Sequence, residues 1–307
     1  MKQYNSYKYI NSAKPTILTL GTFDGVHKGH QSILNKVTQD ATANGYESVV
    51  LTFFPHPRMV LQKDHNIKLI NTIEEKAQLL QELGIQHLIL QEFTKEFANL
   101  SAEQFVEEVL VKHLNIKKII IGYDHRFGKN RSADIHDLMD FGRKYKFDVE
   151  QISAQEINEV SISSTKIRKA LEEGKIETAN DYLGTPYFIT GNVIKGKQLG
   201  RTIGFPTANI QLNEDYKLIP KIGAYIVSAT IDGKLVKGMM NIGYNPTVNN
   251  QVLSLEVHFL DFDKEIYDKK IQIHFHKYLR DEQKFPSLDA LKQQLAKDLQ
   301  ATKDFIL

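Results

Sequence analysis

Residue 183 separates two patterning regimes, and that division constrains the fold more than any other feature of the 307-residue chain. Before it, short β-branched apolar runs alternate with segments whose apolar residues recur at helical spacing. TILTL (16–20), SVVLTFF (48–54), HLILQEF (87–93), KKIIIG (117–122) and DVEQI (148–152) predict strands. Between them, QSILNKVTQDATANG places Ile33, Leu34, Val37 and Ala41 on one helical face and stops at Gly45. EEKAQLLQELG (74–84), SAEQFVEEVLVKHLN (101–115), residues 135–147 and SSTKIRKALEEG (163–174) predict further helices. Ser101 and Gln104 stand at capping-box spacing. Such alternation implies an α/β domain, a parallel sheet with helices on both faces.

After LGTPYF, strand follows strand. FITGNVI (188–194), GAYIVSATI (223–231), KLVKGMMNI (234–242), LSLEVHFL (253–260) and KIQIHFHKYL (270–279) all read as strands. Asp232-Gly233 is a two-residue hairpin signal. One helix, SLDALKQQLAKDLQAT (287–302), follows them. Consecutive antiparallel strands and a terminal helix suggest a small β-barrel. The expected domains are 1–183 and 184–307, in line with roughly 150 residues per domain.

Composition excludes several functions. Lys+Arg is 39 and Asp+Glu 37, a net charge of +2. A nucleic-acid partner is not expected, because that usually needs a basic excess. There is no Cys, which excludes a disulfide scaffold, a thiolate zinc site and a cysteine nucleophile. The start, MKQYNSYKYINSAKP, is polar, unlike a signal peptide. No run approaches the roughly 18 apolar residues of a membrane span. A soluble, cytoplasmic protein without a membrane partner is expected.

GTFDGVHKGHQ (21–31) lies between the first strand and the first helix, the ligand-binding end of an open parallel sheet. Gly21, Gly25 and Gly29 permit close backbone approach, and His27 and His30 lead into a helix N-terminus. Free N–H groups, a positive helix end and two imidazoles suit phosphate. Alone, the pattern is also compatible with a glycine-rich turn carrying two solvated histidines. SISSTKIRKAL (161–171) sets Ser163, Ser164 and Thr165 at a helix start with Arg168 just inside. Hydroxyls, N–H groups and a guanidinium could grip the outer phosphates of a nucleotide. A serine N-cap followed by a surface arginine is the plainer alternative.

The second half carries GNVIKGKQLGRTIGFPTANI (191–210), with Gly191, Gly196, Gly200, Arg201 and Gly204. It is no Walker A loop, yet a glycine-rich loop can cradle phosphates through its N–H groups. Thr207 and Asn209 share a face of an extended segment and offer hard oxygens suited to Mg²⁺. Glu256 shares a strand face with Ser254 and His258, opposite Leu255, Val257 and Phe259. It is a candidate general base, or one member of a solvent-facing polar stripe. His56-Pro57-Arg58, His274 and His276 lack further ligands at metal spacing and are read as structural.

These stretches carry a family resemblance. GTFDGVHKGH with ISSTKIR resembles the HxGH nucleotidylyltransferases. FFPHPRMVL (53–61), TKEFANLSAEQFVEEVL (94–110) and IGYDHRFGKNR (121–131) narrow it to the adenylyltransferase module of the bacterial bifunctional riboflavin kinase/FMN adenylyltransferase (FAD synthetase) family. GRTIGFPTAN, GMMNIGYNPTV (238–248), SLEVHFLDF (254–262) and YLRDEQKFPSLDALKQQLAKD (278–298) resemble its riboflavin kinase module. The resemblance implies riboflavin, FMN and ATP as ligands and Mg²⁺ as cofactor. It implies that His27 and His30 stabilise the transition state of adenylyl transfer, and that Ser164, Thr165 and Arg168 hold the departing pyrophosphate. Gly21, Phe23, Asp24 and Gly29 would line the nucleotide site, and Asp124, Arg126 and Phe127 would face the flavin. In the kinase module it assigns Gly196, Gly200 and Arg201 to ATP, Thr207 and Asn209 to Mg²⁺, Glu256 to the riboflavin 5′-hydroxyl as base, and Arg280 to a loop over the flavin. The chain departs from the family pattern at His125, where Phe is common, and at Ser132-Ala133-Asp134, where a glycine is usual. A chain with one live activity, or a flavin-sensing regulator, are the alternatives. His27, His30, Asn209 and Glu256 weigh against pure regulation.

Overall fold

A computed structural model describes residues 1–10, 12, 14–61, 67–123, 125–153, 162–196, 199–246 and 251–307. It divides into two compact units, Met1–Ser163 and Ser164–Leu307.

The first unit is built on a six-stranded sheet. Its strands are β1 (Lys2–Tyr4), β2 (Thr16–Leu20), β3 (Glu47–Phe54), β4 (His87–Glu92), β5 (Ile116–Gly122) and β6 (Asp148–Ile152), in the order β1-β4-β3-β2-β5-β6. All pairings are parallel. Successive residues enter opposite layers, as the period of a strand requires. Leu18, Val49, Leu51, Ile119 and Ile121 pack into one core. Ile17, Val50, Leu88 and Ile120 pack into the other. The chain leaves β2 to one side for β3 and later returns to its other side with β5, so the β2 end is the topological switch point. Helix Lys28–Asn44 buries Ile33, Leu34, Val37 and Ala41 and ends at Gly45, whose φ of 66° suits glycine.

Two features of this unit depart from the sequence pattern. β1 is a three-residue polar edge strand, tied by Lys2 N–H to Gln86 O at 2.8 Å and by Tyr4 Oη to His87 Nδ1 at 3.1 Å. It has no apolar alternation to betray it. The expected 101–115 helix does begin with the Ser101/Gln104 capping box, but it widens to a π-helix over Phe105–Val111. That widening lets Phe105, Val106, Val109 and Leu110 all face the core.

The second unit is a closed antiparallel barrel in the order β10-β11-β8-β7-β12-β9. Its strands are β7 (Phe188–Ile194), β8 (Ala208–Gln211), β9 (Gly223–Ile231), β10 (Lys234–Pro246), β11 (Gln251–Phe259) and β12 (Lys270–Arg280). Asp232 and Gly233 turn β9 into β10 with φ of 50° and 77°, the all-positive turn their sequence predicts. The short β8 is the strand that sequence pattern missed, and it closes the barrel between β7 and β11. Tyr187, Tyr225 and Phe275 form its aromatic centre. Helix Leu288–Asp304 follows.

Helices Ser164–Glu172 and Ile176–Leu183 group with this barrel. Asn180 binds them to it, donating to Phe275 O at 2.9 Å and accepting from Tyr187 N–H at 2.7 Å. Lys221 N–H reaches Leu171 O at 2.9 Å. The compact division therefore falls twenty residues before the expected domain boundary at 183/184.

Candidate active sites

The turn after β2 is held in an unusual conformation. Phe23 and Val26 have φ of 46° and 42°, flanking Gly25 at 91°. Left-handed φ at a β-branched residue is strained and needs support from its surroundings. Asp24 gives part of that support. It is 0% exposed, and its carboxylate accepts from Ile70 N–H at 3.0 Å and Asn71 N–H at 3.4 Å. The buried Lys76 ammonium donates to Thr22 O at 2.7 Å.

His27 caps helix Lys28–Asn44, its Nδ1 accepting weakly from His30 N–H at 3.4 Å. The two imidazoles stack with centroids 3.7 Å apart and planes 20° apart. Phe23 meets His30 edge-on at 5.1 Å. The Nδ1 of His30 is buried and has no hydrogen-bond partner among the described residues. Burial, then His27, then Lys76 push the His30 pKa well below its ordinary 6.5. His30 is therefore a neutral imidazole at pH 7, able to donate one hydrogen bond. Burial also lowers Lys76, to about 8, against an opposing pull from Asp24. Gly21 passes close to the Phe23 ring, and Gly29 is buried within the first helical turn.

Ser164, Thr165 and Arg168 lie at the start of a helix in the second unit. Asp124 lies outside the described residues. Beside it, Arg126 is exposed, and Phe127 is only 7% exposed, packed on Phe105 at 6.0 Å. Phe53, Phe93, Phe97 and Phe105 continue an aromatic series with successive centroid distances of 5.5, 6.0 and 6.1 Å near the carboxyl ends of β3 and β4. His56 accepts locally from Arg58 N–H at 3.2 Å.

In the barrel, Glu256 is the organising group. Asn209 of β8 and Asn241 of β10 pair directly opposite it on either side, so all three side chains share a face. Its Oε1 accepts from Ser254 Oγ at 2.8 Å and its Oε2 from Thr207 Oγ1 at 3.3 Å. His258 fixes the approach to Thr207, since its Nδ1–H donates to Pro206 O at 2.8 Å and its ring meets Phe205 edge-on. A Cβ on Gly196 would collide with the Asn209 amide, and one on Gly200 with Phe205 O. The glycines thus let the backbone at 196 approach Asn209 and that at 200 approach Phe205. Arg201 stands exposed on the short helix Leu199–Thr202. Arg280 is engaged, its Nη2 and Nε meeting Asp298 of the terminal helix at 2.7 and 3.0 Å. His276 reaches Ser228 Oγ at 2.8 Å on a partly buried face, in keeping with a structural role.

Among the described residues no three His, Cys, Asp or Glu side chains gather as a metal cluster. Thr207, Asn209 and Glu256 do offer a hydroxyl, an amide and a carboxylate oxygen on one side of the barrel. That donor chemistry fits a hard cation that keeps most of its water.

Sequence reasoning missed Lys76 and Asn241. Lys76 had a readable signal: it stands next to Ala77 and four residues before Leu80, on the buried stripe of helix Ile73–Glu82. A cation there needs a partner. Asn241 had none, because only strand register places it beside Glu256.

Residues 9–166 match the family model for FAD synthetase, and residues 183–306 match that for riboflavin kinase. The curated bifunctional riboflavin kinase/FMN adenylyltransferase of Listeria monocytogenes is 42% identical over 94% of this chain and 92% of its own length. Those of Bacillus subtilis and Escherichia coli are 39% and 37% identical, over 93% and 94% of this chain and 90% and 92% of theirs. A solved structure from Streptococcus pneumoniae, described as a macrolide-efflux protein, superposes with a TM-score of 0.90 at 31% identity, covering 99% of each chain. No described helix of the present chain is long and apolar enough to cross a membrane.

Proposed function

We infer, from the membership of this chain in the bifunctional riboflavin kinase/FMN adenylyltransferase family, how its two sites divide two ATP-dependent reactions. The chain phosphorylates riboflavin to FMN and adenylylates FMN to FAD. The observation that carries the division is that residues 9–166 match the FAD synthetase model and residues 183–306 the riboflavin kinase model.

In the kinase step the riboflavin 5′-hydroxyl oxygen attacks the γ-phosphorus of ATP, and ADP departs. Glu256 accepts the hydroxyl proton, and its contacts to Ser254 and Thr207 support that role by holding the carboxylate in place. Gly196, Gly200 and Arg201 receive the ATP phosphates, and Arg280 orders the segment that covers the flavin. Thr207 and Asn209 would hold Mg²⁺, which when bound offsets phosphate charge.

In the second step an FMN phosphate oxygen attacks the α-phosphorus of ATP in line, and pyrophosphate departs. No protein covalent bond is needed, so positioning and charge stabilisation dominate. His27 and the neutral His30 donate hydrogen bonds to the phosphoryl oxygens as charge builds there. Gly21, Phe23, Asp24 and Gly29 shape the nucleotide site, while Ser164, Thr165 and Arg168 hold the pyrophosphate. Asp124, Arg126 and Phe127 flank the flavin, with Phe127 as a packed wall. Residues 1–183 serve this step and 184–307 the first, in the cytoplasm where ATP is supplied.

The test is direct. The purified chain is incubated with ATP and Mg²⁺ and either riboflavin or FMN, and the flavins are resolved by chromatography. FMN followed by FAD is expected. FMN alone would remove the adenylyl step, and no product from either flavin would remove both.

A further inference from the structure

We propose that Lys76 is a positioning residue for adenylyl transfer, holding the 21–27 turn in the geometry that presents His27 and His30. The inference rests on the reading of that histidine pair given above.

The argument begins with where Lys76 sits. Helix Ile73–Glu82 starts at a fixed point, because Thr72 and Glu75 form a reciprocal capping box. Lys76 follows in its first turn and is only 3% exposed. A buried ammonium is retained at the cost of desolvation unless its contacts offset that cost. Its hydrogen bond goes to a backbone carbonyl, Thr22 O, at 2.7 Å. Its charge faces the fully buried Asp24. Thr22 and Asp24 bracket Phe23, the first strained residue of the turn.

The same segment grips the turn a second time. Ile70 and Asn71, which lead into the helix, donate their N–H groups to Asp24. Residues 70–76 therefore clamp both sides of Phe23. The Phe23 ring meets His30, and His30 stacks on His27. Lys76 thus acts on the reacting phosphate through Thr22, Phe23 and the imidazoles. A misplacement of about 1 Å at such a distance can cost on the order of a hundredfold in rate.

The kinase step in the same polypeptide supplies the internal control. Lys76→Met, Lys76→Arg and His30→Ala are each assayed for riboflavin-to-FMN and FMN-to-FAD conversion. Lys76→Met is expected to lower kcat for FAD formation about tenfold or more, with a smaller change in KM for ATP and FMN formation intact. Lys76→Arg, which keeps charge and donor, is expected to recover most of the loss. A wild-type kcat in Lys76→Met beside an inactive His30→Ala overturns the positioning role alone. Full transfer activity in His30→Ala overturns the reading of the histidine pair itself. Equal losses in the Met and Arg variants, or FMN formation falling in step, also overturn the positioning role. Should Lys76→Met fail to fold, Asp24→Asn removes the facing charge. The same selective loss of kcat is expected there, and an unchanged kcat overturns the proposal.

Discussion

The imidazole of His30 stacks face to face on that of His27 with ring centroids 3.7 Å apart, and the buried Lys76 ammonium acts on it electrostatically. Three potential cations thus share one poorly solvated site. Burial, then His27, then Lys76 oppose a proton on His30 and hold its pKa well below the ordinary value. The proposed nucleotide site thus combines a pre-formed turn with a neutral imidazole donor.

His30→Ala removes one of those donors. FMN-to-FAD conversion should fall about 10²- to 10³-fold, the usual loss for one preorganised donor at a transition state. FMN formation should be unchanged, because Glu256 belongs to the other unit. Chromatographic rates with FMN and then riboflavin as the starting flavin check both halves.

The depressed His30 pKa also predicts how stability varies with pH. The unfolded chain takes up a proton near pH 6.5, whereas folded His30 resists it through burial, then His27, then Lys76. The contribution is therefore fully present above about pH 6.5 and is lost as the pH falls through the lower folded value. His87, also lowered chiefly by burial, acts in the same direction. The His30 share is read as the difference between wild type and His30→Gln in denaturant unfolding from pH 7.5 to 5. A shallower slope is expected in the variant. Identical slopes would contradict a folded, neutral His30.

Much of this site could be read in advance. Alternating patterns placed the HxGH turn at a strand–helix junction, and Gly45 marked the helix end. The hydrophobic period says little about short or polar elements, so β1 and β8 escaped it. Nor does it report burial of polar groups: nothing in the string distinguishes Asp24, fully buried on backbone N–H groups, from a solvated loop aspartate. Arg280 illustrates the same limit. Nothing in the string shows that its guanidinium meets Asp298, eighteen residues on.

Glu256→Gln should separate the two reactions in the opposite sense. Glutamine keeps the shape but cannot take the 5′-hydroxyl proton. FMN formation should drop about 10²- to 10⁴-fold, while supplied FMN is still converted to FAD. Loss of both conversions would contradict separate sites for the two reactions.

The Arg280–Asp298 pair should matter for stability. Both side chains are mostly buried, at 15% and 7% exposure, and Gln294 also donates to the Asp298 carboxylate at 2.8 Å. Removing one partner leaves a buried guanidinium uncompensated. Asp298→Ala should destabilise the barrel unit by about 3 kcal/mol. Limited proteolysis should cut first near residues 281–287, between β12 and the terminal helix. A variant as stable as wild type would mean that the pair is solvated in solution.

Gly196→Ala tests whether the backbone at 196 must lie against Asn209. The added methyl would occupy the position of the Asn209 amide, so either the loop or the amide has to move. Asn209 pairs with Glu256 across β8 and β11, and it is one of the two oxygen donors proposed for Mg²⁺. The expected result is a higher Mg²⁺ requirement for FMN formation, with kcat lowered about tenfold and FMN-to-FAD conversion at its wild-type rate. The measurement is a Mg²⁺ titration of both reactions on the same preparation. An unchanged Mg²⁺ dependence would show that the close approach of Gly196 to Asn209 serves packing alone.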